Sequence, residues 1–244
     1  MGRGKMSQET MDVSVWRGDA SGGDYQQFDV PNEDSQTILD VVAWIQQYED
    51  PTLSYRFACR VGMCGSCAMM VNGTPRWTCR THVNKVLEDG RLTIAPLRNL
   101  PVIKDLAANM DPFFDKWVAA EGVFHGNATR DDDVAAIDPA SAPRQEEDKG
   151  IECINRAVCY AACDTVTNNP DFLGPAALNR AWTLYNDAKD CEKSSILDAA
   201  SGKGGCLSCH SIGGCSVYCP NELTPMDSIA GLKRAAATRW WRGE

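Results

Sequence analysis

The chain has 244 residues, of which 43% are hydrophobic and 23% are charged, and its formal net charge is −9. This length suffices for two domains, and no stretch approaches the roughly 18 consecutive apolar residues of a membrane-spanning helix. The acidic balance argues against a nucleic-acid partner, because phosphate binding requires a basic surface. The N-terminus lacks the apolar stretch of a secretory signal, so the 12 cysteines are expected to bind metal inside the cell rather than to form disulfides.

The first residues predict two strands. Residues 1–10 are polar and are predicted to be disordered. Met11–Trp16 alternates apolar and polar side chains, as a half-buried strand does, and Tyr25–Val30 returns as its partner. Arg17–Asp24, rich in Gly, Ser and Asp, is the predicted turn between them.

A helix is predicted after the second strand. Apolar residues recur at helical spacing from Ile38 to Tyr48. Asp34 or Ser35 is the expected N-cap, and Pro51 ends the segment. Two strands followed by a helix fit a β-grasp arrangement.

The next segment carries three closely spaced cysteines and a more distant fourth, in Cys59-Arg-Val-Gly-Met-Cys64-Gly-Ser-Cys67 and Cys79. This is the C-x4-C-x2-C pattern of plant-type [2Fe–2S] proteins. Gly62 and Gly65 would allow backbone amides to fold inward toward the sulfur atoms. Asn72-Gly73 predicts a hairpin whose far strand, Thr74–Cys79, supplies the fourth thiolate. Zinc is the alternative, but zinc sites usually pair two C-x2-C knuckles and this segment has one.

The two predicted domains are separated by a polar stretch. Leu92–Leu97 reads as the last strand of the first domain, and Pro112–Trp117 starts a helix. Gly126–Gly150 contains seven acidic and three basic residues and is predicted to be a solvated linker. The predicted domains are therefore residues 1–110 and 111–244.

The second domain is predicted to be all-α. Ile151–Cys163 is predicted to be helical from its Ala and Val content, and Gly174-Pro175 opens a further helix with Pro at an early position. Met226–Arg239 is predicted to be the last helix. The fold class is therefore α+β, with a β-grasp domain followed by a helical domain.

The helical domain contains two C-x5-C-x3-C trios, which are Cys153, Cys159, Cys163 and Cys209, Cys215, Cys219. In bacterial ferredoxin runs of the form C-x2-C-x2-C-x3-C-P, the last cysteine ligates the other cluster. This rule interlocks the trios, so that Cys219 joins Cys153 and Cys159 while Cys163 joins Cys209 and Cys215. Arg156 and Ile212 occupy the position at which each trio lacks a cysteine. Two cubane-type clusters are predicted, neither with four ligands in its local motif.

These motifs resemble those of the iron–sulfur subunits of succinate dehydrogenase and fumarate reductase, from roughly Met11 to Arg234. Besides the cysteines, the markers are Leu100-Pro-Val-Ile-Lys-Asp-Leu106, Asn169-Pro-Asp-Phe-Leu-Gly-Pro-Ala176 and Cys209-His-Ser-Ile before Cys219-Pro220. The resemblance implies a plant-type ferredoxin domain followed by a bacterial-ferredoxin-like domain.

The resemblance also implies a path for single electrons. A partner flavoprotein exchanges hydride with a dicarboxylate at FAD, and electrons then pass through [2Fe–2S], [4Fe–4S] and [3Fe–4S] clusters to a quinone at membrane-anchor subunits. The positions that match the ligands of the [2Fe–2S] cluster are Cys59, Cys64, Cys67 and Cys79. Those that match the middle cluster are Cys153, Cys159 and Cys219. Those that match the [3Fe–4S] cluster are Cys163, Cys209 and Cys215, with Ile212 as the expected non-ligand. The implied location is the cytoplasmic side of the inner membrane, peripheral through partner subunits and with no transmembrane segment in this chain.

Two positions depart from the family pattern at the middle cluster. The family has a cysteine where this chain has Arg156, and a proline where it has Asp164. Arginine stays protonated and is no ordinary iron ligand. The middle cluster is therefore expected to be a second [3Fe–4S] cluster or a [4Fe–4S] cluster whose fourth ligand is Cys206, Cys191 or a non-cysteine group. Otherwise these two cysteines are expected to be free or buried thiols.

The quinone site departs as well. Ubiquinone-reducing members resemble one another in a Pro-Ser-x-Trp-Trp stretch, and the equivalent residues here, Asp164–Asn168, include no aromatic. His210 matches a position lining the quinone pocket, although it is also placed to act as a hydrogen-bond donor beside a cluster. Trp240-Trp241 is expected either to dock at a membrane anchor or the lipid interface, or to belong to a frayed tail.

Two other functions share these features. The same chain of clusters would serve a flavoprotein with a different substrate, because nothing in this chain contacts the substrate. An iron–sulfur redox sensor without an enzyme partner is the second alternative, although a sensor needs only one exposed cluster. The sequence leaves open the substrate, the direction of electron flow, the acceptor and the oligomeric state.

Overall fold

The computed structural model describes residues 10–243. The predicted disorder of residues 1–10 lies outside this range except at Thr10, where the prediction is wrong because the first strand already begins there. The described chain forms two compact units, one ending at Asn109 and the other beginning at Met110. Between Thr10 and Gly243, no helix is both long enough and apolar enough to span a membrane.

The first unit is built on one mixed sheet. Its strands within the described residues are β1 (Thr10–Asp19), β2 (Gly22–Pro31), β3 (Ala68–Val71), β4 (Thr74–Trp77), β5 (Arg91–Ala95), β6 (Val102–Lys104) and β7 (Ala107–Ala108). The strand order is β4–β3–β5–β1–β6–β7, and β2 pairs antiparallel with β1. β1 and β5 run parallel, with Val13 opposite Leu92.

Helix α1 (Ile38–Tyr48) covers this sheet. Alternate residues of β1, Met11, Val13 and Val15, are buried, as the period-2 pattern predicted. They share one apolar core with residues of α1 such as Val41 and Ile45. The spacing of apolar residues therefore identified the buried faces of both elements.

The N-cap of α1 differs from the prediction. Thr37 caps the helix, with the Asp40 amide donating to its hydroxyl at 3.3 Å and the Thr37 amide donating to the Asp40 carboxylate at 3.0 Å. The predicted cap at Asp34 or Ser35 is wrong, because Ser35 has a left-handed φ of 61° and the chain still has to turn before the helix starts. This reciprocal pair is a capping box.

Three further predictions in the first unit require correction. Arg17–Asp24 is not a long turn, because β1 and β2 extend until only Ala20 and Ser21 separate them. Leu92–Leu97 is not the last strand, because the short strands β6 and β7 follow it. Cys79 does not lie in a strand, because β4 ends at Trp77 and a 3₁₀ helix (Thr78–Arg80) follows.

The second unit is helical. Within the described residues its helices are α2 (Asp111–Ala119), α3 (Ala142–Ile151), α4 (Val158–Ala161), α5 (Asp164–Asn168), α6 (Pro175–Asn186), α7 (Lys193–Ser201), α8 (Gly214–Val217) and α9 (Pro225–Arg242), with a 3₁₀ helix at Cys206–Ser208. The predicted start of α6 at Gly174-Pro175 is confirmed. A sheet unit followed by a helical unit is the order that the sequence predicted.

The solvated linker predicted for Gly126–Gly150 is wrong in its second half. Helix α3 forms there, and both Glu147 and Gly150 are buried. Arg144 pairs with the Glu147 carboxylate at 2.9 Å, and the amide of Asn179 donates to the Gly150 carbonyl at 3.0 Å. Contact with α6 therefore buries one side of a segment whose charge had suggested exposure.

The continuous helix predicted over Ile151–Cys163 is also wrong. Only α4 is helical, because Asn155 and Ala157 adopt left-handed backbone angles with φ of 57° and 54°. A left-handed residue interrupts the helical hydrogen-bond pattern. The resulting loop places Arg156 between two residues of unusual conformation.

Candidate iron–sulfur centres

The loop that carries the first three cysteines folds its backbone amides inward. The amides of Met63 and Cys64 donate to the Cys59 sulfur at 3.2 and 3.3 Å, and the Cys59 amide donates to the Cys64 sulfur at 3.5 Å. Gly62 and Gly65 have left-handed φ angles of 74° and 72°. The two glycines therefore allow the turn that points the amides at sulfur, as the spacing indicated.

The four thiols of this site have contrasting surroundings. Backbone hydrogen bonds from Cys64, Val61 and Met63 lower the pKa of Cys59 to about 6, because they stabilise its thiolate. Burial and the neighbouring Cys67 raise the pKa of Cys79 to about 11. Cys67 and Cys79 are buried against Leu39, whereas Cys64 is exposed. One side of the site is therefore closed by the core and the other opens to solvent.

A packing constraint holds the same loop. A Cβ atom on Gly62 would lie 2.5 Å from Cζ3 of Trp77, which is far inside van der Waals contact. The ring of Trp77 thus occupies the space beside the loop. Glycine is required at position 62 both by its φ angle and by this close approach.

In the second unit, Cys153, Cys159 and Cys219 line one open cavity. The open space at this site, including the part that joins the solvent, is about 330 Å³, and Arg156, Asn155 and Asn221 also line it. Burial raises the pKa of Cys153, and the negative charge of a Cys219 thiolate acts in the same direction. The two trios are thus brought together in the grouping that the interlocking rule predicted for these three residues.

Cys163, Cys209 and Cys215 line a second open cavity of about 310 Å³, together with Ile212 and other residues. Burial is the largest cause that raises the pKa of Cys215 to about 11, and Cys163 and Cys209 both raise it further. Burial also raises the pKa of Cys159, and charges in both cavities contribute to that shift. Cys159 is therefore electrostatically close to both groups.

Arg156 is part of the first cavity rather than of the surface. Its side chain is only 8% exposed, and its Nη1 donates to the Asn221 side-chain oxygen. Asn221 in turn donates to the Glu152 carbonyl at 2.8 Å. The alternative in which Arg156 points to solvent is wrong, because the arginine ties the first trio's loop to the residue after Cys219-Pro220.

Comparison with known proteins identifies both units. The family described as 2Fe-2S iron-sulfur cluster binding domain matches residues 12–115, and the 4Fe-4S dicluster domain family matches residues 152–224. The fumarate reductase iron-sulfur subunit of Haemophilus influenzae is 32% identical over 83% of this chain and 82% of its own length. That of Mycobacterium tuberculosis is 33% identical over 96% of this chain and 94% of its own length.

The chain belongs to the family of fumarate reductase and succinate dehydrogenase iron–sulfur subunits. A solved structure, the Mycobacterium smegmatis Sdh1 complex in the apo form, contains a chain that is 25% identical and superposes with a TM-score of 0.85 over 96% of this chain and 98% of that one. Family membership fits an electron-transfer role within an oxidoreductase complex, and the predicted resemblance is confirmed.

Two further cysteines of this iron–sulfur subunit, Cys191 and Cys206, are not among the residues that line these two cavities. Cys206 is completely buried in the 3₁₀ helix, and the exposed Cys191 donates to the His125 carbonyl at 2.9 Å. Neither cysteine is among the described residues that line the cavity containing Arg156. In this conformation neither cysteine is positioned to replace the missing ligand.

The donor atoms of all three candidate sites are cysteine sulfurs. One site lies on the first cysteine loop and the hairpin that follows it, and each of the other two is a cavity lined by three cysteines. Thiolate sulfurs are the ligands that iron–sulfur clusters require. The residues present therefore fit the clusters that the family implies.

Sequence reasoning missed the residues around the cysteines. Asn221 has no motif that would mark it as the partner of Arg156. Several large apolar side chains beside the cysteines are also exposed. They are Phe57, Val61 and Met63 in the first unit and Leu207, Ile212, Val217 and Tyr218 in the second. Their positions within two or three residues of a cysteine are the only sequence signal of this exposure.

Proposed function

We propose that this subunit carries single electrons between an FAD-containing flavoprotein subunit and a quinone or membrane-anchor site. The observation that carries the proposal is that the two distant trios combine into two cavities, each lined by three cysteines drawn from both trios. Thiolate-bound iron–sulfur clusters accept and release one electron at a time. Two neighbouring sites of this kind suit a relay, whereas a sensor needs one.

The proposed ligands follow the three groups of cysteines. Those of the [2Fe–2S] cluster are Cys59, Cys64, Cys67 and Cys79; those of the middle cluster are Cys153, Cys159 and Cys219; those of the [3Fe–4S] cluster are Cys163, Cys209 and Cys215. The inward amides on Cys59 and the shared cavities support these assignments. In fold terms we infer a β-grasp plant-type ferredoxin domain followed by a bacterial-ferredoxin-like helical domain.

The middle site is proposed to hold its cluster with three thiolates. Arg156 occupies the fourth position, is buried, and remains protonated, so it offsets part of the thiolate charge without ligating iron. Net charge is one of the properties that set a cluster's reduction potential. The site is therefore expected to contain a [3Fe–4S] cluster, or a [4Fe–4S] cluster with a non-cysteine fourth ligand.

The exposed apolar residues support partner surfaces at both ends of the relay. Phe57, Val61 and Met63 are 42%, 55% and 63% exposed around the first cysteine loop, and we infer that they face the flavoprotein. Ile212, 62% exposed, and the exposed His210 lie by the last cysteines, where the quinone or anchor is proposed to bind. The subunit is accordingly proposed to sit peripherally on the cytoplasmic side of the inner membrane through these partners.

Crossed substitutions test the interlocking ligands. Cys219→Ser is expected to alter the electron paramagnetic resonance signal of the middle cluster, although Cys219 belongs to the second trio. Cys163→Ser is expected to alter the [3Fe–4S] signal, although Cys163 belongs to the first trio. Cys191→Ser and Cys206→Ser are the matched controls and should leave both signals unchanged.

The opposite pattern would contradict the assignment. If Cys219→Ser changed only the signal assigned to Cys209 and Cys215, each trio would hold its own cluster. Mass spectrometry of subunits that co-purify with the wild-type chain tests the partner half of the proposal. The expected companions are a flavoprotein and a hydrophobic anchor, and their absence from an intact preparation would contradict that half.

A further inference from the structure

The C-terminal end of α9 carries a concentration of positive charge. From Lys233 to Arg242 the sequence contains four basic and no acidic residues, whereas the whole chain has a net charge of −9. Such a local reversal of sign marks a surface that meets a negatively charged partner.

A polar groove lies beside this helix end. It is an open groove between α6, α7 and α9. Its lining residues are Tyr185, Lys193, Ser194, Leu197, Ala235, Thr238, Arg239 and Arg242. Basic, hydroxyl and phenol groups of this kind donate hydrogen bonds to phosphate oxygens.

The charges in the groove are not equivalent. Arg239 forms an ion pair with Asp198 and donates to the Ser194 carbonyl at 3.4 Å, so it holds α9 against α7. Lys193 and Arg242 have no ion-pair partner among residues 10–243. These two cations are therefore the ones available to an external anion.

Two tryptophans stand next to the groove. Trp240 is 79% exposed and Trp241 is 84% exposed, and both belong to α9, which continues to Arg242. The amide of Gly243 caps the helix by donating to the carbonyls of Arg239 and Trp240. The alternative of a frayed tail is wrong, because the indole rings project from a capped helix end.

We propose that this groove and the Trp240–Trp241 pair form a site that binds the surface of a bilayer containing anionic phospholipid. Tryptophan prefers the level of the lipid headgroups, and basic residues near that surface are attracted to anionic lipid. Tryptophan and arginine are also enriched in protein–protein interfaces, but lysine is depleted from them, and Lys193 lines this groove without an ion-pair partner among residues 10–243. A layer of anionic headgroups attracts lysine and arginine alike, so the arrangement fits such a layer better than a protein pocket.

Vesicle flotation of the anaerobically purified full chain tests the site. The chain is expected to float with vesicles of phosphatidylcholine containing about a third phosphatidylglycerol, and to remain unbound with phosphatidylcholine alone. Raising the salt concentration should weaken this binding, since exposed charges are screened. Iron content measured on the same sample reports the proposed cluster function separately.

Paired variants identify the residues responsible. Lys193→Gln with Arg242→Gln should reduce partition to anionic vesicles by roughly fivefold for each charge removed. Trp240→Ser with Trp241→Ser should reduce it at least roughly tenfold. The control variant Tyr48→Ser with Lys85→Gln removes an exposed aromatic ring and an exposed charge from the first unit and should bind as the wild type does.

Three outcomes would overturn the proposal. Equal binding to both vesicle types would show that anionic headgroups are not recognised. Wild-type binding by both α9 variants would place the contact elsewhere. If the chain bound neither vesicle type but the tryptophan variant lost a co-purifying hydrophobic subunit, the surface would be a protein interface instead.

Discussion

Gly62→Ala tests whether the first cysteine loop is positioned by the close approach of its backbone to Trp77. Gly62 has a φ of 74°, and its added Cβ would lie 2.5 Å from Cζ3 and 3.0 Å from Cε3 of the Trp77 ring. Alanine in a left-handed conformation costs about 1–2 kcal/mol. Overpacking against the Trp77 ring adds about 1–3 kcal/mol. The expected loss of stability is therefore roughly 2–5 kcal/mol.

Gly73→Ala is the matched control, because it separates backbone strain from packing. Gly73 has a φ of 73°, and a Cβ atom there would meet nothing within 4 Å. This variant should lose only about 1–2 kcal/mol. It should keep its full [2Fe–2S] content, since the cysteine loop is untouched.

The assay is anaerobic thermal unfolding of the full chain, followed by visible circular dichroism and by iron content. Gly62→Ala should show a lower melting temperature than Gly73→Ala and a selective loss of the [2Fe–2S] signal. If both variants lost the same stability and kept the signal, the Trp77 contact would not position the loop. Reduced iron in the helical unit alone would contradict the reasoning as well.

Four further predictions concern charged residues. Arg156→Cys should give the middle site four thiolates. If the wild-type cluster is [3Fe–4S], iron content should rise by about one atom per chain and an oxidised [3Fe–4S] signal should be replaced by a reduced [4Fe–4S] signal; if a non-cysteine ligand completes a [4Fe–4S] cluster, its signal should shift at constant iron content. An unchanged signal would contradict the three-thiolate site. Arg17→Met should cost about 3 kcal/mol in urea unfolding, because it leaves buried Asp105 without the cation that lies 3.1 Å away; a loss below about 1 kcal/mol would show that the ion pair is not stabilising. Arg17 also pairs with Asp50, and this pair makes stability depend on pH. Hydrogen bonds from Thr52 and Arg17 lower the pKa of Asp50 from 3.8 to about 2 in the folded state, so the stabilisation is present above about pH 4 and should be lost as the pH falls toward 2. A free energy of unfolding that did not change with pH in that window would contradict this prediction. Arg60→Glu should slow reduction by the flavoprotein roughly tenfold at low salt with little change in melting temperature, and an unchanged rate measured by stopped flow would mean that this loop does not face the flavoprotein.

Regular periodicity was readable from the sequence because burial imposes it. Met11, Val13 and Val15 alternate as a strand requires, and Val41 and Ile45 recur as a helix requires. Proline at an early helix position correctly indicated the start of α6. These elements are determined by local geometry together with one buried face.

Other elements depend on contacts that no local pattern records. Helix α3 is highly charged, yet it packs against α6, where Asn179 bonds to the Gly150 carbonyl, and the buried Glu147 pairs with Arg144 of the same helix. Strand β6 has only three residues and pairs with β1 at Asp19 alone. Whether such segments become helix or strand, and which side is buried, depends on the elements they pack against. Composition alone therefore gave the wrong prediction for them.

The same distinction holds at the cysteine sites. Spacing rules predicted which cysteines would come together, because ligand geometry constrains the chain itself. The burial of Arg156 and its bond to Asn221 depend on the left-handed angles at Asn155 and Ala157, which neither residue type signals. The charge environment of the middle site therefore required the structure.

The iron content of the anaerobically purified full chain tests the central claim most directly. Ligand groups of four, three and three cysteines predict about eight iron atoms per chain if the middle cluster is [3Fe–4S], and about nine if a non-cysteine ligand completes a [4Fe–4S] cluster. Brown visible absorption and little zinc should accompany either value. Zinc in place of iron, or only about two iron atoms in a chain whose helical unit is folded, would contradict the relay of three clusters.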